Sequence, residues 1–335
     1  MPDDWTAPGV YAVAPGVHRI PLPLPNDGLR AVNVYAVEDA DGLTLVDSGW
    51  ALTLARERLE DALHGIGREL GDVRRFLVTH VHRDHYTLGV VLRRAFGSRI
   101  VIGRGEELSL RRIIGSAEQP ESPHFVELRR DGAGVVVDRL IAVGRDERTN
   151  DWELPDGWLD DGDEIELRDH TLRVVHTPGH TRGHVVFAEL GKGLLFAGDH
   201  VLPHITPSIG FEAARAPLPL GDFLASLRTV RAMPDLRLLP AHGPVADSTR
   251  ARVDELIAHH ERRLDESLKA VDDGASTAYE AARILRWTRR LRPFDDLDPY
   301  NQMLAVMETA AHLDVLVRDG RLVASDVDGV THYAA

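Results

Sequence analysis

Three histidines and one aspartate stand close together in this sequence, as His80, His82, Asp84 and His85. Imidazole and carboxylate groups are ligands that zinc, manganese and iron can all accept, so this cluster predicts a metal site. The alternative is coincidence in a chain that contains 17 histidines. A chance match to the pattern His-x-His-x-Asp-His is expected far less than once in such a chain, which favours the metal site.

The residues that lead into this cluster form a short apolar run, 76–81, which predicts a β-strand. Alternate side chains of a strand point to the same face, so we expect His80 and His82 to share one face. A turn after the strand would bring Asp84 and His85 back towards them.

Polar residues at several other points in the chain also follow short apolar runs. They are Asp47, His180, Asp199 and His242. Several strands of one sheet architecture would thus bring their polar ends to a single edge. Apolar residues at helical spacing in 51–66, 86–96 and 220–232 predict helices between the strands, as in a mixed α and β fold.

The segment 103–158 has a weaker pattern. Residues 106–114 predict a helix, and the stretch that contains Pro120, Pro123, Arg129, Arg130 and Gly132 is expected to be irregular. Long internal connections are often lids or substrate-binding loops. The alternative is a solvated insertion with no substrate role.

Residues 251–335 predict a separate unit. Helices are expected at 253–271, 277–285 and 301–318, followed by a two-stranded ribbon around Asp328-Gly329. We therefore expect a catalytic domain over 1–250 and a helical, winged-helix-like domain over 251–335. Packing of this unit against the catalytic domain, where it would close one wall of the site, is favoured over duplex binding.

The composition limits the classes of ligand and partner that the protein is expected to bind. The chain has 335 residues with 39 basic and 53 acidic side chains, a net charge of −14, which makes nucleic acid a disfavoured but not an excluded partner. It has no cysteine, so every metal ligand must be nitrogen or oxygen. The start of the sequence predicts no signal peptide, and no apolar run predicts a membrane span. We expect a cytoplasmic protein with a small-molecule substrate. Whether it is a monomer or a homodimer is left open by the sequence.

Five stretches together resemble the metallo-β-lactamase-fold hydrolases over residues 10–245. They are Thr-Leu-Val-Asp47-Ser-Gly, Thr-His80-Val-His82-Arg-Asp84-His85, Thr-Pro-Gly-His180-Thr-Arg-Gly-His184, Phe-Ala-Gly-Asp199 and Pro-Ala-His242-Gly. The resemblance implies an α+β fold, an αββα sandwich with the site at one edge of two sheets. The pattern is most similar to the glyoxalase II branch, whereas the tail does not resemble the glutathione-contacting tail of glyoxalase II itself.

The resemblance also implies a role for each residue. One metal would be bound by His80, His82 and His180, the other by Asp84, His85 and His242, with Asp199 shared between them. Asp84 and His85 would be catalytic, and Asp47 and His184 would support the ligands. His204 follows the Asp199 motif in the sequence and is a candidate substrate contact, although the absence of such a role is the favoured alternative. Two divalent ions are expected, with Zn²⁺ ahead of Mn²⁺ or Fe²⁺.

The implied reaction is hydrolysis of a small ester, thioester or lactone by a metal-bridging hydroxide. Three alternatives stay open: an RNA or nucleotide phosphodiesterase, a mononuclear iron sulfur dioxygenase and a noncatalytic binding module. A groove lined by Arg286, Arg289, Arg290 and Arg292 towards the metals would favour the phosphodiesterase. An apolar pocket would favour acyl substrates.

Overall fold

The computed structural model of the protein describes residues 4–25, 28–118, 121–144 and 151–335. Within these residues, one sheet has seven strands that pair in chain order. Its first four strands form an antiparallel meander, and the last three continue the sheet in parallel. The strands are β1 (Tyr11–Ala14), β2 (Val17–Pro23), β3 (Ala31–Asp39), β4 (Gly42–Val46), β5 (Val73–Val78), β6 (Arg99–Gly103) and β7 (Gly157–Leu159).

A second sheet among the described residues has five strands: β8 (Glu164–Glu166), β9 (Thr171–His176), β10 (Val185–Glu189), β11 (Leu194–Gly198) and β12 (Arg237–Pro240). They pair in the order β12-β11-β10-β9-β8. Neighbouring strands are antiparallel except β11 and β12, which run parallel because helix α6 (Pro219–Ala232) crosses between them.

Helices cover the outer face of each sheet. Helices α1 (Thr53–His64) and α2 (Arg83–Phe96) share a buried cluster with the first sheet, and α6 and α7 (Thr249–Asp272) share another with the second sheet. A further cluster, which includes Leu77 and Phe187, fills the space between the sheets. Burial of one such side chain contributes about 1.5–3 kcal/mol. The four layers confirm the predicted αββα sandwich.

After β6, helix α3 (Glu107–Ile114) forms where the sequence predicted a helix. The next stretch was predicted to be irregular, and that prediction was wrong, because it contains helix α4 (Pro123–Arg130) and leads into helix α5 (Gly134–Val143). Pro123 occupies the first turn of α4, where the missing N–H costs nothing. Helices this short are stabilised by tertiary contacts, which the local pattern does not reveal. Pro120 lies outside the described residues.

The carboxy-terminal residues form the predicted helices and ribbon. After α7 they are α8 (Ala278–Ile284), α9 (Pro299–Arg318), β13 (Val323–Val327) and β14 (Val330–Ala334). Helices α7 and α9 pack against α6, so this extension lies against the second sheet's helical layer. No helix within the described ranges has both the length and the apolar composition needed to cross a bilayer.

The extension shares its core with the insertion after β6. Leu128 of α4 and Val137 of α5 are buried in one cluster with Ala281 of α8 and Leu313 of α9. We refer to this as the insertion–extension cluster. The two segments are therefore packed as one body, although about a hundred residues of chain separate them. The domain boundary at residue 250 and the winged-helix comparison stay predictions.

Candidate metal centre

The sequence-predicted ligands come together beyond the ends of strands from both sheets. His80, His82, Asp84 and His85 span the turn from β5 into α2, and His180, Asp199 and His242 follow β9, β11 and β12. They form two groups, and within each group one candidate ligand atom per residue lies within 4.8 Å of the others. The groups are His80, His82, His180 and Asp199, and Asp84, His85 and His242.

In the first group, ring nitrogens of three histidines converge. The Nε2 atom of His180 lies 3.0 Å from Nδ1 of His82 and 3.3 Å from Nε2 of His80. The same nitrogen lies 3.4 Å from Oδ2 of Asp199. Three nitrogens and one carboxylate oxygen around a single point are a donor set suited to a divalent cation such as zinc.

In the second group, two histidines face two carboxylates. The Nε2 atom of His242 lies 3.4 Å from Oδ2 of Asp84 and 3.4 Å from Oδ1 of Asp199. The Nε2 atom of His85 lies 3.6 Å from the same two oxygens. Asp199 therefore turns Oδ2 towards the first group and Oδ1 towards the second, which is the position of a shared carboxylate.

Among the seven candidate ligand residues, three buried atoms have no hydrogen-bond partner within the described part of the chain: Nε2 of His85, Nε2 of His242 and Oδ1 of Asp199. An unsatisfied buried polar atom costs about 1–3 kcal/mol, so such atoms normally have a partner. All three lie where a cation in the second group would contact them. The residues thus fit a divalent metal.

The remaining ring nitrogens are held by backbone carbonyls. Nδ1 of His180 donates to the Ser208 carbonyl (2.7 Å), and Nδ1 of His242 donates to the Ala31 carbonyl (2.8 Å). Nε2 of His82 donates in the same way to the carbonyl of Phe211 at 3.2 Å. Each bond places the proton on the outer nitrogen and leaves the inner nitrogen free to bind metal.

Asp47 lies directly behind His85. Its carboxylate accepts hydrogen bonds from Nδ1 of His85 (2.9 Å) and from the backbone N–H of Thr79 (2.8 Å). The Thr79 hydroxyl also donates to Asp47 and lies 3.0 Å from Nδ1 of His80. Asp47 has a φ of 62°, a left-handed conformation that Asp adopts more readily than most residues. One carboxylate thereby orients ligands of both groups.

His184 supports the opposite side of the centre. Its ring stacks on that of His80 with centroids 5.0 Å apart, and its Nε2 accepts a hydrogen bond from the backbone N–H of Asp199. Gly198 makes this approach possible, because a Cβ there would lie 2.8 Å from Nε2 of His184 and 2.6 Å from the Thr79 hydroxyl. The predicted supporting residues Asp47 and His184 thus both contact ligand residues.

Buried polar side chains hold the loop that carries His242, and no sequence motif pointed to them. Asn33 donates from Nδ2 to the carbonyls of Pro240 and Gly243, and its Oδ1 accepts a hydrogen bond from Arg19. Arg19 is only 1% exposed. These bonds connect β2 and β3 of the first sheet to the end of β12 in the second, so they set the separation of the two sheet edges at the centre.

The two groups differ in their electrostatics. Burial lowers the pKa of His82 to about 3 and the pKa of His180 to about 4, so these imidazoles are neutral and can bind a cation through nitrogen. Burial also acts on the second group, but nearby carboxylates, Asp47 first, outweigh it and raise the pKa of His85 to about 10. The pKa of His242 is raised by carboxylates in the same way. This group favours a positive charge, which a metal ion would provide.

The centre opens on one side. The Asp84 side chain is 15% exposed, against 9% for Asp199 and none for His85, and His82 is half-buried. Next to them, the guanidinium of Arg83 lies 3.9 Å from the centroid of the Trp50 ring. The sequence singled out neither residue.

His204 is exposed and lies outside both ligand groups. Its neighbour Pro203 packs against Gly243, where a Cβ would come within 2.5 Å, so His204 lies near the loop that carries His242. Its contact with substrate stays a prediction.

Comparisons with known proteins agree with this architecture. Residues 27–242 match the family model described as the metallo-beta-lactamase superfamily. The probable metallo-hydrolase YqjP of Bacillus subtilis is 26% identical and is matched over 94% of this chain and 95% of its own. A crystal structure of a beta-lactamase domain protein from Burkholderia ambifaria is 28% identical with a TM-score of 0.76, covering 100% of this chain and 97% of that one.

A shorter match connects the chain to a protein with a named activity. The atrochrysone carboxyl ACP thioesterase AgnL7 of Paecilomyces divaricatus is 32% identical over 34% of each chain. The family match covers all seven candidate ligand residues, from His80 to His242. The resemblance predicted from the five motifs, and with it a metallo-hydrolase enzyme, is confirmed. The chain belongs to the metallo-beta-lactamase superfamily.

Proposed function

We propose that this protein is a dinuclear metal-dependent hydrolase of a small ester, thioester or lactone. The observation that supports two metals is the position of Asp199, whose two oxygens face two separate groups of ligand nitrogens. We place zinc first, because histidine and aspartate without cysteine suit a catalytic zinc site, and we propose that the enzyme acts in the cytoplasm.

Two bound divalent cations would lower the pKa of water towards neutrality and polarise the carbonyl oxygen of the substrate. The chain's own residues would transfer the proton that the attacking water releases. Asp84 is the more exposed of the two carboxylates in the ligand groups, so its oxygen can accept the proton of the attacking water. As the new C–O bond forms and the bond to the leaving oxygen or sulfur breaks, Asp84 would return that proton to the leaving group.

A thioester is the substrate class that we favour within this proposal. The match to the thioesterase AgnL7, 32% identical over 34% of this chain, supports the transfer of an acyl group to water on this scaffold. Two of the arginines that would favour a phosphodiesterase are held through their backbones within the extension: the carbonyl of Arg286 accepts a hydrogen bond from Arg263 of α7, and the backbone of Arg292 pairs with that of Trp287.

A hydrolysis screen tests the proposal. Protein reconstituted with Zn²⁺, Mn²⁺ or Fe²⁺ would be assayed on thioesters, lactones and phosphodiesters, and we expect turnover of thioesters or lactones. His82→Ala and Asp199→Ala should each lower bound metal and abolish hydrolysis, whereas His64→Ala, at the exposed end of α1, should change neither. Unchanged metal content in both site variants would contradict the assignment. One iron per chain with no hydrolysis would support the sulfur dioxygenase instead.

A further inference from the structure

Phe211 joins three parts of the molecule beside the metal centre. Its ring centroid lies 5.7 Å from that of His82, a candidate metal ligand. It stacks on His124 of α4 at 4.6 Å with an interplanar angle of 20°, and it meets Tyr300 of α9 edge-on at 5.8 Å. We refer to Phe211, His124 and Tyr300 as the aromatic wall. One side of the wall comes from the insertion and another from the extension.

The aromatic wall stands at the open side of the centre. His82 and Asp84 are the ligand residues that reach solvent, and Phe211 contacts His82 both through its ring and through its carbonyl. The wall itself is not sealed, because Tyr300 is 47% exposed. A substrate whose carbonyl lies at the metals would therefore extend along these three rings.

The wall suits an uncharged group. Phe211 carries no charge, and burial lowers the pKa of His124 to about 4, so its imidazole is neutral at physiological pH. None of these three rings carries a fixed positive charge, and a planar apolar group could stack on them.

We propose that the aromatic wall binds the acyl group of the substrate and selects aromatic acyl groups over acetyl. The inference rests on the proposed hydrolase function and specifies its substrate class as a thioester or ester of a planar, apolar acid. Stacking against Phe211 and His124 would hold the acyl group while its carbonyl lies at the metals. The insertion and the extension would thereby determine specificity, although neither supplies a metal ligand.

The test compares benzoyl and acetyl thioesters of N-acetylcysteamine on the full-length, metal-reconstituted protein. The wild type should prefer the benzoyl substrate in kcat/KM. Phe211→Ala should lower the ratio of benzoyl to acetyl kcat/KM by about 10-fold or more, since an apolar contact of this size is worth that much discrimination. Elemental analysis should show unchanged bound metal, because the Phe211 carbonyl that orients His82 belongs to the backbone.

Two further variants keep the result decisive if Phe211→Ala loses metal or fails to fold. His124→Ala removes the stacked ring without touching a ligand and should lower the same ratio several-fold, whereas His124→Phe should preserve it. Val126→Ala, also on α4 and 53% exposed, is the matched control and should leave both substrates unaffected.

The outcomes separate the two proposals. A wild type that hydrolyses neither substrate, nor any other ester or thioester, would contradict the proposed function. A wild type that hydrolyses both, with an unchanged ratio in Phe211→Ala and in His124→Ala, would overturn the aromatic wall and leave the hydrolase function standing.

Discussion

Oδ2 of Asp47 lies 2.9 Å from Nδ1 of His85, although the two residues are 38 positions apart in the chain. Asp47 directly follows the last strand of the meander, and His85 lies in the first turn of helix α2, which follows the next strand. The contact fixes the imidazole ring so that its Nε2 faces the second ligand group. It also places a negative charge behind the ligand, which strengthens the bond that the ligand would make to a metal.

We predict that Asp47→Ala weakens the second metal site by about 10-fold to 100-fold, because His85 loses its orienting partner. Asp47→Asn should have a smaller effect, since Asn tolerates the positive φ and keeps one acceptor. Metal titration against a competing chelator measures both. Asp39→Asn removes a carboxylate that pairs with Arg75 at 3.1 Å on the same sheet and should not change metal affinity. Equal affinity in Asp47→Ala and wild type would refute this role.

Gly198 offers a test of close packing behind the centre. Gly198→Ala should destabilise the fold by several kcal/mol, because the new Cβ would lie 2.6 Å from the Thr79 hydroxyl oxygen. The alanine would also have to keep the φ of +49° that the glycine adopts. Gly193 has a φ of +70° and open space around it, so Gly193→Ala isolates the backbone cost, about 1 kcal/mol. Urea unfolding of both variants gives the difference. Similar losses in the two would argue against the steric effect.

Asp131 predicts a pH dependence of stability. Burial raises its pKa from the usual 3.8 to about 7, and its Oδ2 has no hydrogen-bond partner in the described structure. The folded state therefore holds the proton more tightly than the unfolded state, so this contribution to stability is complete below pH 3.8 and is lost as pH rises through about 7. Asp131→Asn should lose this slope. The measurement is urea unfolding of both proteins at pH 5 and pH 8, where an identical pH dependence would contradict the assignment.

Arg215 fastens the segment that contains Ser208 and Phe211 to the insertion and the extension. Its guanidinium lies 3.3 Å from Glu127 of α4 and 3.0 Å from Asp314 of α9, and both carboxylates are partly buried. Arg215→Met should cost about 1–3 kcal/mol, because it leaves two partly buried carboxylates without a cation. Arg215→Lys should retain part of that stability. Arg231→Met is the control, since Arg231 pairs with Asp254 at the exposed surface. Thermal unfolding that ranks the variants otherwise would exclude this role.

The candidate ligands could be predicted from sequence because each lies just after a short apolar strand. The strands set the direction of the chain, and the glycines at or after their ends, such as Gly179 and Gly198, predict the turns. The alternation of strands and helices predicted a mixed α and β fold, and the resemblance carried by the five motifs implied the four layers. Asp47 and His184 were assigned supporting roles, and both contact ligand residues in the structure.

The partners of those ligands could not be predicted in the same way. The carbonyls of Ser208, Phe211 and Ala31 orient histidines, and a backbone carbonyl has no residue type that would mark it. The helices α4 and α5 were missed because their apolar residues pack against a segment far along the chain. Local periodicity of apolar residues predicts an amphipathic surface, but it does not predict which distant segment packs against that surface.

The insertion–extension cluster has a consequence for how such proteins diversify. Residues of α4 and α5 share one buried core with α8 and α9. Recombination that replaced only one of the two segments would leave the other with an exposed apolar face and a tendency to aggregate. The insertion and the extension therefore form one structural unit that is encoded by two separate parts of the gene. A chimera with a relative should exchange both segments in one step.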